Sequence, residues 1–225
     1  MRKTESTPQK LSGARRRTLA DRALRDEDPG PAKRRPATKR QRNAVATRAA
    51  ILASARRAFA AHGYDGAGVR DIAARAGVTA MLVNRYFGSK EKLFAEVVAD
   101  TMSKPVILSD ANLRAPDRGA HMARALVEIT TPGAEPLEGF QIMLHSAASE
   151  SAAKIGRGEI DKRYQKLLTG ALQGPHAAER AALVFALVAG MQFMRQSLQL
   201  PALKTADPAT LCALMTPLFD QLMEG

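Results

Sequence analysis

The sequence predicts an all-α protein: an N-terminal three-helix helix-turn-helix domain followed by a larger C-terminal helical domain. Three observations predict it. Ala, Leu, Arg and Glu are plentiful, β-branched runs are few and Trp is absent, a balance that favours helix. From residue 44 onward apolar residues recur at helical spacing, with no strand alternation longer than a few residues. Residues 67–97, AGVRDIAARAGVTAMLVNRYFGSKEKLFAEV, parse as a helix, a tight turn at Gly77, a short second helix and a capped third. Two short helices joined through a glycine form the unit that offers one helix to the DNA major groove.

Residues 1–43 are expected to be a disordered basic arm. They carry Arg15-Arg16-Arg17, Lys33-Arg34-Arg35 and Lys39-Arg40 between Pro8, Pro29, Pro31 and Pro36, and hold too few large apolar residues to offset chain entropy. Residues 14–27 have the composition of a transient helix. The arm reads equally as a solvated tail and as an extension that contacts phosphates or the minor groove.

The DNA-binding domain is expected over 44–98. Ile51, Leu52, Ala55, Ala58, Phe59 and His62 set a first helix over about 44–62, ended by Gly63. A second runs from Val69 to Ala76, with Asp71 in its first turn where a carboxylate suits the macrodipole. Thr79 is the expected N-cap of a third helix reaching Phe87, and Ser89 of a fourth over 90–103. Five further helices are expected in the C-terminal domain, 99–225: 118–131, 136–154, 158–173, 175–198 and 208–223. Pro136, Pro175 and Pro208 stand at or near first helical positions, where a missing N–H costs nothing. Asp207 is a good N-cap, and Pro217 should kink the last helix.

Charge divides the chain the same way. The net charge is +12, and residues 1–48 hold 15 Lys/Arg against 5 Asp/Glu, whereas residues 99–225 hold 12 against 13. A polyanion is the expected partner at the front, and something neutral behind. The single Cys212 lies in an apolar helical pattern, so it is expected as a buried thiol, and it excludes an internal disulfide. No apolar run reaches the ~18 residues of a membrane span, and the first 20 residues lack a signal-peptide core. The expectation is a cytoplasmic, nucleoid-associated protein with no membrane partner.

Within the helix-turn-helix segment, Ile72, Ala73, Val78, Val83, Phe87 and Phe94 are the expected small core. The face left open on the third helix presents Thr79, Ala80, Met81, Asn84 and Arg85. Arg reads guanine bidentately and Asn reads adenine, while Ala or Met meets a thymine methyl. Phosphate donors are expected at Arg48, Arg70, Tyr86 and Lys90, with the N-termini of the second and fourth helices adding backbone N–H groups. Arg56 and Arg57 are expected to face solvent. No glycine-rich phosphate loop, nucleophile elbow, paired carboxylates or His/Cys metal spacing occurs, so neither an enzyme, a metal site nor a cofactor is expected.

The segments TRAAILASARRAFAAHGYDG, VRDIAARAGV and NRYFGSKEKLF, at this spacing, resemble the DNA-binding domain of the tetracycline-repressor (TetR) family of bacterial transcriptional regulators. The resemblance covers residues 47–97. It implies a homodimer paired through its last two helices, a double-stranded operator of near-palindromic sequence, and a small apolar effector held among the central helices. Residues available to line such a cavity are Met102, Met122, Leu126, Phe140, Met143, Leu144, His145, Tyr164 and Phe185, although Met and Phe at helical spacing are more often plain core. Gly190 and Ala189 would let the paired helices approach, with Met191, Phe193, Met194, Leu214 and Leu218 between them. The chain departs from the family pattern where Ala67-Gly68 replaces a Thr pair and where Asn84 replaces a Tyr, so two frequent phosphate contacts are missing. The alternative to an effector-released repressor is an effector-independent or architectural DNA-binding protein. A solid C-terminal core would favour that alternative.

Overall fold

The structure, a computed structural model, describes residues 39–103, 105–134 and 137–225. Most of the arm expected over 1–43 therefore lies outside the described residues. All regular structure among the described residues is helical.

Helix α1 (Lys39–Gly66) begins ahead of its expected start. Ile51, Ala55, Ala58 and Phe59 recur on one face and are buried. Its regular part ends where the sequence places a glycine: Gly63 has φ 64° and ψ −176°, a conformation that an L side chain scarcely visits. Helices α2 (Val69–Arg75), α3 (Ala80–Phe87) and α4 (Lys90–Thr101) follow as the spacing predicts. Their apolar faces close on α1 through Ile72, Val83, Phe87, Leu93, Phe94 and Val97.

The C-terminal helices are α5 (Asp110–Arg114), α6 (Arg118–Ile129), α7 (Glu138–Ser146), α8 (Glu150–Ile160), α9 (Lys166–Ala171), α10 (Ala177–Gln192), α11 (Pro201–Lys204) and α12 (Pro208–Glu224). Helices α8 and α9 join through a π-helical turn, Asp161–Gln165, and α10 runs on into another, Phe193–Ser197. The short α5 and α11 are too brief to leave a period in the sequence. The expected break between 154 and 158 is absent, and the chain breaks at 147–149 instead. Three contacts explain the shift. Gly156 faces Met143, where a Cβ would collide with the thioether, so this glycine serves close packing within the helix. Ser146 and Ser149 are turned towards the end of α1. The Ser146 hydroxyl accepts from the Tyr64 N–H at 2.9 Å, and Ser149 Oγ donates to Asp65 Oδ1 at 3.3 Å. Helix α12 continues through Pro217.

Two cores result. The first contains the buried residues of α1–α4 together with Ile142 of α7 and Ala152 of α8, so packing crosses residue 98. The second is built from Ile107 and Leu108, α6, α9, α10 and α12. Arg195, 2% exposed, ties the second together. Its guanidinium donates to Val127 O (2.8 Å), Thr130 Oγ1 (3.0 Å) and Leu203 O (3.1 Å). Arg118 and Arg180 donate to the Met223 and Leu222 carbonyls at the end of α12, where cations suit the macrodipole. Cys212 is half-buried on α12.

One helix, Ala177–Ser197, is 21 residues long and on length and composition is apolar enough to cross a membrane. It is not a continuous apolar run, since Glu179, Arg180 and Arg195 lie in it, and the π-helical turn extends α10 beyond the apolar stretch 181–191. Part of its surface packs into the second core, and its Arg180 and Arg195 are buried against backbone carbonyls.

The α1–α7 seam allows no side chain at Gly63, where a Cβ would overlap the His145 carbonyl. The substitution Gly63→Ala should cost roughly 2–4 kcal/mol, combining backbone strain and overpacking. Urea denaturation measures this, and a loss below about 0.5 kcal/mol would mean that the seam opens freely.

Candidate nucleic-acid interface and cavity

The turn between α2 and α3 is set by Gly77, with φ 69°. Around it Gly77 N–H donates to Ala74 O and Val78 N–H to Ala73 O, so the carbonyls at the end of α2 are satisfied. Thr79 then caps α3, its Oγ1 accepting from Leu82 N–H at 3.3 Å, which leaves its hydroxyl proton free to donate. Val83 and Phe87 anchor the buried face of α3, with Ala80 and Tyr86 half-buried beside them. Met81, Asn84 and Arg85 are exposed together on the opposite face, Met81 at 81%. An exposed side chain of that size on a short, rigid helix is available for contact.

The expected phosphate donors flank this face in different states. Arg70 is exposed on the first turn of α2. Arg48 is ion-paired with Glu96 and sits 4.8 Å over the Phe87 ring. Lys90 opens α4, its Nζ 4.6 Å over the Tyr64 ring. Ser89 caps that helix through Lys92 N–H. The Glu91 carboxyl is held below the usual carboxylate range, chiefly by its hydrogen bond with Ser89. Tyr64 is pushed up to about 12, first by burial and then by Glu91. It packs edge-on against Phe94, with ring centroids 5.0 Å apart. Sequence reasoning missed Glu96 and Tyr64 as partners of these cations, because both contacts join separate elements. It also missed Ser54, whose hydroxyl donates to Ile72 O at 2.8 Å and locks α2 to α1.

A cavity of about 590 Å³ lies between the ends of α4, α7, the α8–α9 turn and α10. Met102, Phe140, Met143, Tyr164 and Phe185 line it. The other expected lining residues do not. Met122 and Leu126 are fully buried in the second core, and Leu144 and His145 are absent from the lining because they sit on α7 away from it. His145 Nδ1 donates instead to Ala60 O of α1 at 2.5 Å. Arg56, expected to face solvent, lines the cavity and pairs with Asp100 and Glu138. Met191 faces the second core, whereas Phe193, Met194, Leu214 and Leu218 are exposed. Among the described residues no three His, Cys, Asp or Glu side chains converge as for a metal ion.

A capped recognition helix standing off a glycine turn, with a separate helical body behind it, defines the class of helix-turn-helix regulators. Residues 51–97 match the family described as bacterial regulatory proteins, tetR family, and residues 117–223 match the tetracyclin repressor-like C-terminal domain. The chain belongs to the TetR family. It is 30% identical over 141 residues to an uncharacterized HTH-type transcriptional regulator of Mycobacterium tuberculosis, covering 63% of this chain and 66%, just under two thirds, of that relative's length. A TetR-family regulator from Streptomyces coelicolor A3 superimposes with a TM-score of 0.52 at 23% identity, over 80% of this chain and 95% of the other. The regulator AibR, solved in complex with isovaleryl coenzyme A and operator DNA, superimposes with a TM-score of 0.51 at 19% identity, over 79% and 98%.

Two outcomes follow. Replacing Asn84→Ala should reduce discrimination at one base pair by about 1–3 kcal/mol, read from affinities for a panel of single-base operator variants. A uniform loss across the panel would show that Asn84 only holds the backbone. The neutral phenol of Tyr64 is favoured by folding, so its contribution is complete below the ordinary tyrosine pKa near 10 and is lost as pH rises through about 12. Tyr64→Phe should flatten the loss of stability over that window in urea titrations, and an unchanged alkaline slope would remove Tyr64 as its source.

Proposed function

We propose that the protein is a homodimeric transcriptional repressor that binds a near-palindromic operator through α3 and is released by a small molecule held in the cavity. The observation that carries the DNA-binding part is the α3 face: Met81, Asn84 and Arg85 point away from the Val83–Phe87 anchor and are exposed together. Family membership and the operator complex of the AibR relative support the same reading. Phosphate contacts come from Arg48, Arg70, Thr79, Tyr86 and Lys90 and from the basic arm, which offsets the missing hydroxyls at Ala67 and Gly68. The protein acts at the nucleoid.

Dimerisation is supported by two apolar stripes. Leu183, Phe193, Met194 and Leu198 on α10 and its extension, and Leu214 and Leu218 on α12, are all exposed in the single chain. Uncovered apolar area of this kind marks a protein interface, and pairing the same two helices across a twofold axis covers it with itself. The cavity favours effector release over the effector-independent reading. Its volume falls in the range of small-molecule sites, and its wall includes α4 and α7, the two helices that also pack against α1.

Replacing Leu214→Lys places a charge on a residue 63% exposed in the single chain, so the subunit should still fold. Light scattering should then report a monomer, and operator affinity should fall by roughly a hundredfold as the second half-site is lost. A dimer that persists with full affinity would overturn this interface.

A further inference from the structure

Two hydroxyls lining the cavity are committed as donors to the backbone. Tyr164 donates its hydroxyl proton to Met102 O at 2.7 Å, and Thr101 donates its own to Val98 O at 2.9 Å, so each turns only lone pairs to further partners. Gln192 lines the cavity, is 4% exposed, and its Oε1 has no hydrogen-bond partner. At one edge Arg56 Nη1 lies 3.4 Å from Asp100 Oδ2, and its Nε lies 2.9 Å from Glu138 Oε2, an ion pair off the N–H axis. Two carboxylates thus share one guanidinium among the described lining residues. The rest of the lining is mainly Met, Phe, Val, Leu and Ile.

We propose that the cavity takes an apolar molecule ending in a cationic, hydrogen-bond-donating group, of the alkylammonium class, and not an acyl anion. This rests on the cavity being the effector site. An ammonium supplies donors to a wall that offers acceptors, and charge-assisted bonds to carboxylates are the strong ones. A ligand carboxylate or phosphate would lie beside Asp100 and Glu138, two like charges that already share the Arg56 guanidinium, an arrangement that disfavours anions. The geometry also links binding to the reading head. Arg56 belongs to α1, whereas Asp100 and Glu138 belong to the end of α4 and the start of α7. A ligand cation that takes over these carboxylates releases α1 from both.

Calorimetric titration of the full chain with decylammonium, decanol and decanoate, which share one chain length, tests this. Decylammonium should bind tightest and exceed decanoate by at least about tenfold. The variant Glu138→Gln should remove most of its advantage over decanol, with Asp100→Asn as the parallel variant and circular dichroism confirming that each folds. Arg56→Gln, which removes the competing cation, should tighten decylammonium. Decanoate binding as tightly as decylammonium, an ammonium preference that survives both carboxamide variants, or a weakened Arg56→Gln would overturn the proposal while leaving the effector site standing. Binding by none of the three compounds would overturn the effector site itself, and this proposal with it.

Discussion

The close approach of α1 to α7 is the constraint on which the rest of the molecule depends. Gly63 ends the regular part of α1 against the His145 carbonyl, where no side chain fits. His145 returns a hydrogen bond to Ala60 O, and Ser146 receives the Tyr64 N–H. Four polar or backbone groups are thereby satisfied at one seam, where an unpaired buried group would be expensive. Helices α2 and α3 have no long apolar face of their own and take their position from α1, through Ile72, Val83 and the Ser54 bond to Ile72 O. The orientation of the reading face is therefore inherited from α1, and that of α1 from the α7 seam.

On the proposed effector reading, the same helix links a cavity so far along the chain to the DNA-binding helices. One face of α7 carries Glu138, Phe140 and Met143 into the cavity wall, and the other carries Ile142 into the first core. A ligand changes the operator equilibrium only by binding one arrangement of α7 and α4 better than another. Arg56 is placed to register that difference, since it joins α1 to both helices through exposed, solvent-screened pairs that are weak individually.

What was legible in the sequence was local. Thr79, Ser89 and Asp207 each cap the helix that follows by accepting from an N–H three residues on, and Gly77 takes the positive φ its place demands. These devices act within one turn of chain, so spacing reveals them. Contacts across the fold were not legible. Arg48 and Glu96 are 48 residues apart, Tyr64 and Ser146 are 82 apart, and Val127 and Arg195 are 68 apart, and no periodicity relates them. The same limit explains the misplaced break in α8. Gly156 looks like a helix end until the packing of Met143 is known, while Ser146 and Ser149 look like ordinary helix until their partners at the end of α1 are known. It also explains the cavity. Met122 and Leu126 share the apolar character of Met102 and Phe140, and only the packing separates core from wall.

Selection of bound duplexes from a random pool by the full chain, followed by sequencing, tests the central claim most directly. A twofold pair of α3 helices predicts an inverted repeat with half-site centres about one helical turn, ~34–36 Å, apart. Enrichment of a direct repeat or a single half-site, or recovery of sequences no different from the starting pool, would contradict it.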